Sequence, residues 1–333
     1  MPVEKLKYCS PEKYSGFIPK LQKDMIIKRN NYAVIKGFSI TGDAPKELIR
    51  VYEYGTGRKS NMRTWPVYIA KTGHKWYPVE SITENLLNCF GCALGLNMSL
   101  SRLALVGGQI RFLSKYFLKK DQELVHGADI YAGFLNDREF VEEIEEKHLA
   151  RDFFTIQFTE QAIRSIFPEQ ANTILHEFVK MLLFDALVGN NDRHFYNWAI
   201  IRHLQCFHEP KYSPVYDTAR GLFWNESEQK ILSLHQNKED LSLFIQRYTE
   251  SSRPKIGWDN ELNINHYKLV QLIAQNEFYI TKIQIKELLS QSKLEKLFYT
   301  LETNFKGLLS LERTDLIRLC LEHRHKRLLE LID

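Results

Sequence analysis

Apolar residues at 174, 175, 178, 179, 182, 183 and 186 recur at helical spacing, and the pattern halts abruptly at Gly189-Asn190-Asn191-Asp192-Arg193-His194. A Pro at 168 and a Gly at 189 agree with the start and stop preferences of a helix. Beyond the polar turn the chain becomes apolar again and strand-like. Any fold of this chain must bury that helix, yet it delivers Asp192 and Asn197, five positions apart, at the helix's end. Twenty residues past Asn197, a further apolar run ends in a second acid, Ser213-Pro214-Val215-Tyr216-Asp217.

Two acids and an amide in this order suit phosphoryl transfer. One carboxylate orients an acceptor hydroxyl and takes its proton, and the amide oxygen and second carboxylate hold Mg²⁺ against the phosphates. An Asp and an Asn near a Gly also form ordinary polar turns, so the N-terminal half has to supply the rest. There Pro66-Val67-Tyr68-Ile69-Ala70-Lys71 reads as a strand ending in a lysine. Glu84 opens a segment whose apolar residues 86, 87, 90, 93 and 94 follow a helical face. Such a glutamate suits the holding of a phosphate-binding lysine. Glu80, one turn earlier, competes for the role, and a surface lysine with a helix-start acid is the plainer alternative.

Upstream, Phe38-Ser39-Ile40-Thr41-Gly42-Asp43-Ala44-Pro45-Lys46 separates strand-like runs at 32–35 and 48–54. Small residues and one Gly would let backbone N–H groups approach phosphate oxygens. The segment is neither a Gly-rich kinase loop nor a Walker motif. Gly55-Thr56-Gly57-Arg58-Lys59-Ser60 is expected to be an exposed hairpin turn, since no helix follows it.

Taken in order, Ser39-x-x-Gly42-x-x-x-Lys46, Lys71, Glu84 with Gly95-Leu96, Gly189-Asn190-Asn191-Asp192-Arg193-His194-x-x-Asn197 and Pro214-x-Tyr216-Asp217 resemble the HipA family of bacterial serine/threonine kinases. The match in order and spacing spans about residues 35–235. The Asp-Arg-His-x-x-x-Asn element is shared with phosphatidylinositol kinases, but Asp217 is followed by Thr218 and Ala219 rather than Phe-Gly. The resemblance implies an α+β, bilobal protein-kinase-like fold, ATP with Mg²⁺, and a protein hydroxyl as acceptor. It implies Asp192 as base, Asn197 and Asp217 as metal ligands, Lys71 on the nucleotide phosphates and Glu84 holding Lys71.

The nucleotide site would further take Ser39, Gly42 and Asp43 from the loop, with His194 and Tyr216. Phe117 would meet the adenine, and backbone groups around Lys115 would read its edge. Ser39, with Thr41 second, would be autophosphorylated. Full-length HipA toxins carry an additional N-terminal subdomain that contacts an antitoxin. This chain is expected to be too short for it and closer to compact HipT-like or secreted CtkA-like members. The partner would then be a protein substrate, with an antitoxin or a host protein as further candidates. A lipid kinase and an inactive scaffold remain the alternatives.

With 333 residues, 44% hydrophobic and 26% charged, the chain is long enough for two lobes. The expected division is an N-lobe at 1–113, a hinge at 114–118, and a helical C-lobe at 119–333. No apolar run suffices to span a membrane, and a net charge of +4 is too mild to suggest nucleic acid. Five scattered cysteines, Cys9, Cys89, Cys92, Cys206 and Cys320, fit a reducing compartment. A cytoplasmic protein is therefore expected, with export by a route lacking a classical signal peptide as the alternative. Cys89-x-x-Cys92 has no second pair to complete a zinc site. The run Glu322-His323-Arg324-His325-Lys326-Arg327 reads as the solvated face of a terminal helix.

Overall fold

The computed structural model describes residues 14–37, 45–205 and 208–332; Ser39, Thr41, Gly42 and Asp43 of the expected phosphate loop lie outside them. The strand-forming runs of the first third pair into one antiparallel sheet. Its strands are β1 (Tyr32–Val34), β2 (Lys46–Val51), β3 (Val67–Lys71), β4 (Ser101–Val106) and β5 (Gln109–Lys115), in the order β1-β2-β3-β5-β4. Alternation along the strands gathers Ile49, Val51, Tyr68, Ala70, Ala104, Val106 and Leu113 into one small core.

Helix α1 (Val79–Leu94) packs on β4 and β5 and joins Ile82, Leu86 and Phe90 to Leu103 and Ile110. It begins at Val79, five residues before Glu84, with Pro78 as its cap, which puts Glu84 in its second turn. Gly95, at φ 89°, ends it in the left-handed region that glycine adopts without strain. The strand expected at 48–54 is displaced as well. β2 starts at Lys46, directly opposite Lys71 of β3, and ends at Val51. The 55–60 segment is a turn-rich stretch between β2 and β3, as expected.

The second part is helical but not purely so. Strand β6 (Gln122–His126) is followed by α2 (Gly127–Leu135), α3 (Arg138–Glu146), α4 (Ala150–Phe153), α5 (Ile156–Ile166) and α6 (Ala171–Val188). Then come β7 (Ala199–His203), β8 (Lys211–Tyr212), α7 (Glu228–Leu234), α8 (Lys238–Ser251), α9 (His266–Asn276), α10 (Lys282–Leu288), α11 (Gln291–Asn304) and α12 (Leu311–Ile332). Strands β6, β7 and β8 form a second antiparallel sheet, which clamps the polar loop between its middle strand and α6. Pro168 lies in the turn before α6 rather than in its first helical turn.

The basic run near the end is not a uniformly solvated face. Helix α12 packs against α6, α7, α8, α9, α10 and α11, so only part of its circumference can meet water. His323, Lys326 and Arg327 are exposed, whereas Arg324 and His325 are buried. The Arg324 guanidinium donates to Ala186 O at 2.8 Å and lies 5.9 Å from the rings of both Tyr248 and Tyr267. The C-terminal carbonyls of α6 carry partial negative charge, which favours a cation there. His325 bonds Leu289 O at 2.6 Å through Nε2.

The segment from residue 14 onward straps both parts together. Ser15 N donates to Tyr77 O (2.8 Å) and Ser15 O accepts from Glu228 N (2.9 Å). Lys20 N reaches Gly307 O (2.8 Å) and Ile27 N reaches Leu105 O (3.1 Å). Among the described residues no helix is long and apolar enough to cross a membrane. Cys89, Cys92 and Cys320 are free thiols.

One buried group is expected to make stability fall in acid. Burial pushes the His266 imidazole from 6.5 down to about 3, with the Arg324 cation adding to the effect. The folded state thus refuses a proton that the unfolded chain accepts. The stability contributed is present above about 6.5 and is lost as pH falls toward 3. Denaturant midpoints should decline from pH 7 to pH 5, and His266→Phe should flatten the decline by up to about 1.4 kcal/mol per pH unit. An unaltered slope in the variant would assign the acid sensitivity to other groups.

Candidate active site

The catalytic-loop candidate begins where α6 must stop. Gly189 caps the helix at φ 67°, and a Cβ there would stand 2.6 Å from Arg324 Nη2, so neither the backbone nor the space admits a larger residue. Asp185, one turn back in the helix, is buried with Arg193 in a two-pronged pair of 2.8 and 3.0 Å. The same guanidinium donates to Asn197 O at 2.8 Å and Tyr216 O at 2.5 Å. Burial alone would lower the pKa of Arg193, but the Asp185 carboxylate outweighs it and raises it. Arg193 therefore faces inward as a structural hub, not into the cleft beside Asp192.

Around this hub the loop side chains are fixed one by one. Asn190 donates to Asp185 Oδ1 at 2.9 Å and accepts from Asp192 N at 3.3 Å. Asp192 is left half-exposed, with Arg220 Nε 3.4 Å from its Oδ2. Asn197 commits its amide nitrogen to Asp192 O at 2.8 Å and lies 3.1 Å from His194 Nε2. That leaves the amide oxygen on the opposite side of the group. His194 is half-buried and buttresses Asn197.

The second acid arrives on a segment bonded to the N-terminal part. Val215 N donates to Asn97 O at 2.7 Å, and Ser99 N donates to Val215 O at 3.2 Å. Asp217 follows at φ 54°, an uncommon conformation for a residue other than glycine, but one that aspartate tolerates. Its Oδ1 meets Lys71 Nζ at 3.0 Å and its Oδ2 meets Lys46 Nζ at 3.7 Å. Lys71 is simultaneously held by Glu84 Oε1 at 2.6 Å.

The competing acid, Glu80, accepts instead from Lys75 N at 3.0 Å. Lys71, Glu84 and Asp217 are thus brought together from β3, α1 and the segment after β8, while Glu80 is not among them.

Electrostatics in this cluster follow from burial opposed by pairing. Burial alone would lower the Lys71 pKa, but Asp217 and Glu84 outweigh it and keep the ammonium charged. Burial alone would raise that of Asp217, but Lys71 and Lys46 hold its carboxyl well below the usual carboxylate range. Burial pushes Glu84 up to about 7 against the opposing pull of Lys71. Burial, and then the Lys71 charge, lower the pKa of Lys46.

Farther along the cleft, Phe117 and Tyr216 face each other with ring centroids 6.5 Å apart. Tyr216 Oη also meets His126 Nδ1 at 3.0 Å. At the β5 end, the Lys115 and Tyr116 N–H groups donate to Leu100 O (2.7 Å) and Val67 O (2.9 Å). These two amides are already bonded at the margin of the sheet and are not available to another acceptor.

The oxygen donors of Asn197 and Asp217 suit a hard divalent cation, whose remaining positions water and phosphate oxygens usually fill. The sequence assigns no site role to two cations found here. Lys46, which the sequence offers only as the end of the loop motif, opens β2 opposite Lys71, and that register aims it at Asp217. Arg220 gave no signal, because nothing in a single sequence links it to Asp192.

Comparison with known proteins agrees with this architecture. The description HipA-like C-terminal domain matches residues 38–300. Among solved structures, the Helicobacter pylori proinflammatory kinase CtkA superposes with a TM-score of 0.68 at 16% identity, covering 90% of this chain and 94% of that one. HipA of Shewanella oneidensis, solved with HipB and operator DNA, gives a TM-score of 0.46 at 14% identity, covering 94% and 74%. No curated protein gave a match. With the family pattern extending over most of its length, the chain belongs to the HipA-like C-terminal domain family.

Proposed function

We propose that the protein is an ATP- and Mg²⁺-dependent serine/threonine protein kinase of HipA type. The observation that carries this reading is the convergence of Lys71, Glu84 and Asp217 at 2.6 and 3.0 Å, with the Asp192–Asn197 loop anchored to the same segment through Arg193. Lys71 would bind the nucleotide phosphates, with Lys46 beside it and Glu84 keeping Lys71 in place. Asn197 and Asp217 would hold Mg²⁺, which when bound neutralises charge on the phosphates. Phe117, in a hinge at 114–118 between an N-lobe at 1–113 and a C-lobe at 119–333, would meet the adenine, with Tyr216 facing it from the C-lobe.

Asp192 would orient the acceptor hydroxyl. As the acceptor oxygen bonds to the γ-phosphorus, the bond from that phosphorus to the β–γ bridging oxygen breaks. ADP leaves, and the hydroxyl proton passes to Asp192.

Incubation with labelled ATP, Mg²⁺ and a cell lysate tests this directly. Wild type should label protein bands, while Asp192→Ala and Asp217→Ala should each lose at least about 10²-fold in rate and keep the wild-type fold. Wild-type rates in either variant would falsify the assignment. A parallel arm with phosphoinositide vesicles separates protein from lipid acceptors, since label in lipid alone would replace the acceptor class.

The geometry around Lys71 makes a second expectation specific. Lys71→Ala should lose most activity and Glu84→Ala should follow it more mildly. Glu80→Ala, whose carboxylate caps Lys75 N, should stay near wild type. A larger loss for Glu80→Ala than for Glu84→Ala would reverse the pairing. Mg²⁺-ATP should also raise the melting temperature of wild type, because a ligand that binds only the native state stabilises it.

Autophosphorylation of Ser39, or secondarily Thr41, would place about −1.5 to −2 charges beside the nucleotide phosphates and repel them. Mass spectrometry after incubation with Mg²⁺-ATP should find the phosphate in wild type and not in Asp192→Ala. An unmodified loop alongside labelled foreign substrates would remove this regulation and leave the kinase reading standing.

A further inference from the structure

We propose that Arg220 is a positioning residue for the transfer step, gripping the Asp192 carboxylate from the loop that carries Asp217, so that the base and the metal-binding acid are set as one unit. The proposal deepens the kinase reading and rests on it. Arg220 Nε stands 3.4 Å from Asp192 Oδ2, with the two side chains 25% and 28% exposed. Its guanidinium lies 4.7 Å from the centre of the Trp224 ring, a platform that limits the side chain's freedom.

The backbone beneath it is equally restrained. Arg220 O accepts from Asn191 N at 3.3 Å, and Leu222 N donates to Val188 O at 3.2 Å. At Gly221 an added Cβ would come within 2.8 Å of Val188 O and 3.6 Å of Asn190 N. Leu222 and Phe223 follow at φ 45° and 62°, a turn that side chains rarely adopt. Residue 220 therefore cannot slide relative to residues 188–192.

A carboxylate on a half-exposed loop is otherwise free to rotate. Holding one oxygen with a fixed cation sets the plane of the group and leaves the second oxygen to take the acceptor's proton. Orientation of this kind acts on rate, because a misplaced reacting group loses much of its advantage. A half-exposed ion pair contributes little to stability. Removal of Arg220 is accordingly expected to appear in turnover and not in melting.

The test measures the initial rate of label transfer from ATP, with Mg²⁺ and a dialysed bacterial lysate as acceptor pool, for wild type, Asp192→Ala, Arg220→Gln and Arg220→Lys. Arg220→Gln should lose roughly ten- to a hundredfold in maximal rate. Its KM for ATP should stay within about twofold and its melting temperature near wild type, because Arg220 acts through Asp192 and not on the nucleotide. Arg220→Lys, which restores a cation, should recover part of the rate.

A maximal rate for Arg220→Gln within about twofold of wild type overturns the proposal. So does a loss confined to the KM for ATP, which would assign Arg220 to nucleotide binding. If Arg220→Gln unfolds, Arg220→Met, which keeps the stem over Trp224, is judged by the same criteria; unfolding of both makes Arg220 a structural residue and overturns the proposal. Label transfer by wild type that Asp192→Ala does not reduce would instead sink the kinase reading itself.

Discussion

The pairing of Arg193 with Asp185 is the interaction on which the geometry of the cleft depends. Removing two charges from water is costly, and such a pair survives in a core only when the remaining donors and acceptors are also met. Here the guanidinium spends its donors on Asp185, Asn197 O and Tyr216 O. It thereby joins the end of α6, the loop after it and the segment leading to Asp217. Loss of either partner would strand a buried charge, at a cost of roughly 3–5 kcal/mol. It would also remove the common reference for residues that are distant in sequence.

Charge balance in the cleft follows a related logic. Lys71 and Lys46 face Glu84 and Asp217, so the ammonium groups are held by carboxylates and not left to find water. On the kinase reading, incoming phosphates would compete with Asp217 for both lysines. A divalent cation would then become the natural partner of the carboxylate so released. Glu84, deeper and on a helix, would keep its grip on Lys71 throughout. On that reading a rigid acid and an exchangeable one would divide two tasks that a single carboxylate could not perform.

Much of this was legible in the residues. The apolar helix ending at Gly189, the lysine-terminated strand and the Asp192, Asn197 and Asp217 spacing carried the fold class and pointed to side chains that the structure gathers around Lys71 and Arg193, because each is a local pattern with a local cause. Boundaries were less legible. α1 starts at Val79 and not Glu84, since it is buried by the sheet on one side and by α11 on the other, which blurs an amphipathic face. Strand β6 was invisible because its pairing with β7 joins residues far apart in the chain.

Burial of Arg324 contradicted the plain meaning of a basic run, because a carbonyl and two aromatic rings from elsewhere accept the cation. Arg220 and Lys46 gained their partners only through tertiary register.

Helix α12 braces the end of α6 and the segment after Asp217 at once. Arg324 reaches the end of α6 at Ala186 O, and Arg313, fully buried, bonds Glu228 Oε1 at 2.6 Å and Phe223 O at 2.9 Å, beyond the Asp217 loop. Every residue assigned to the chemistry lies N-terminal to this helix. A ribosome therefore releases the residues assigned on the kinase reading well before it releases the element that holds them in register. On the kinase reading, the nascent chain would own the parts of a catalyst without their alignment until α12 had emerged and packed.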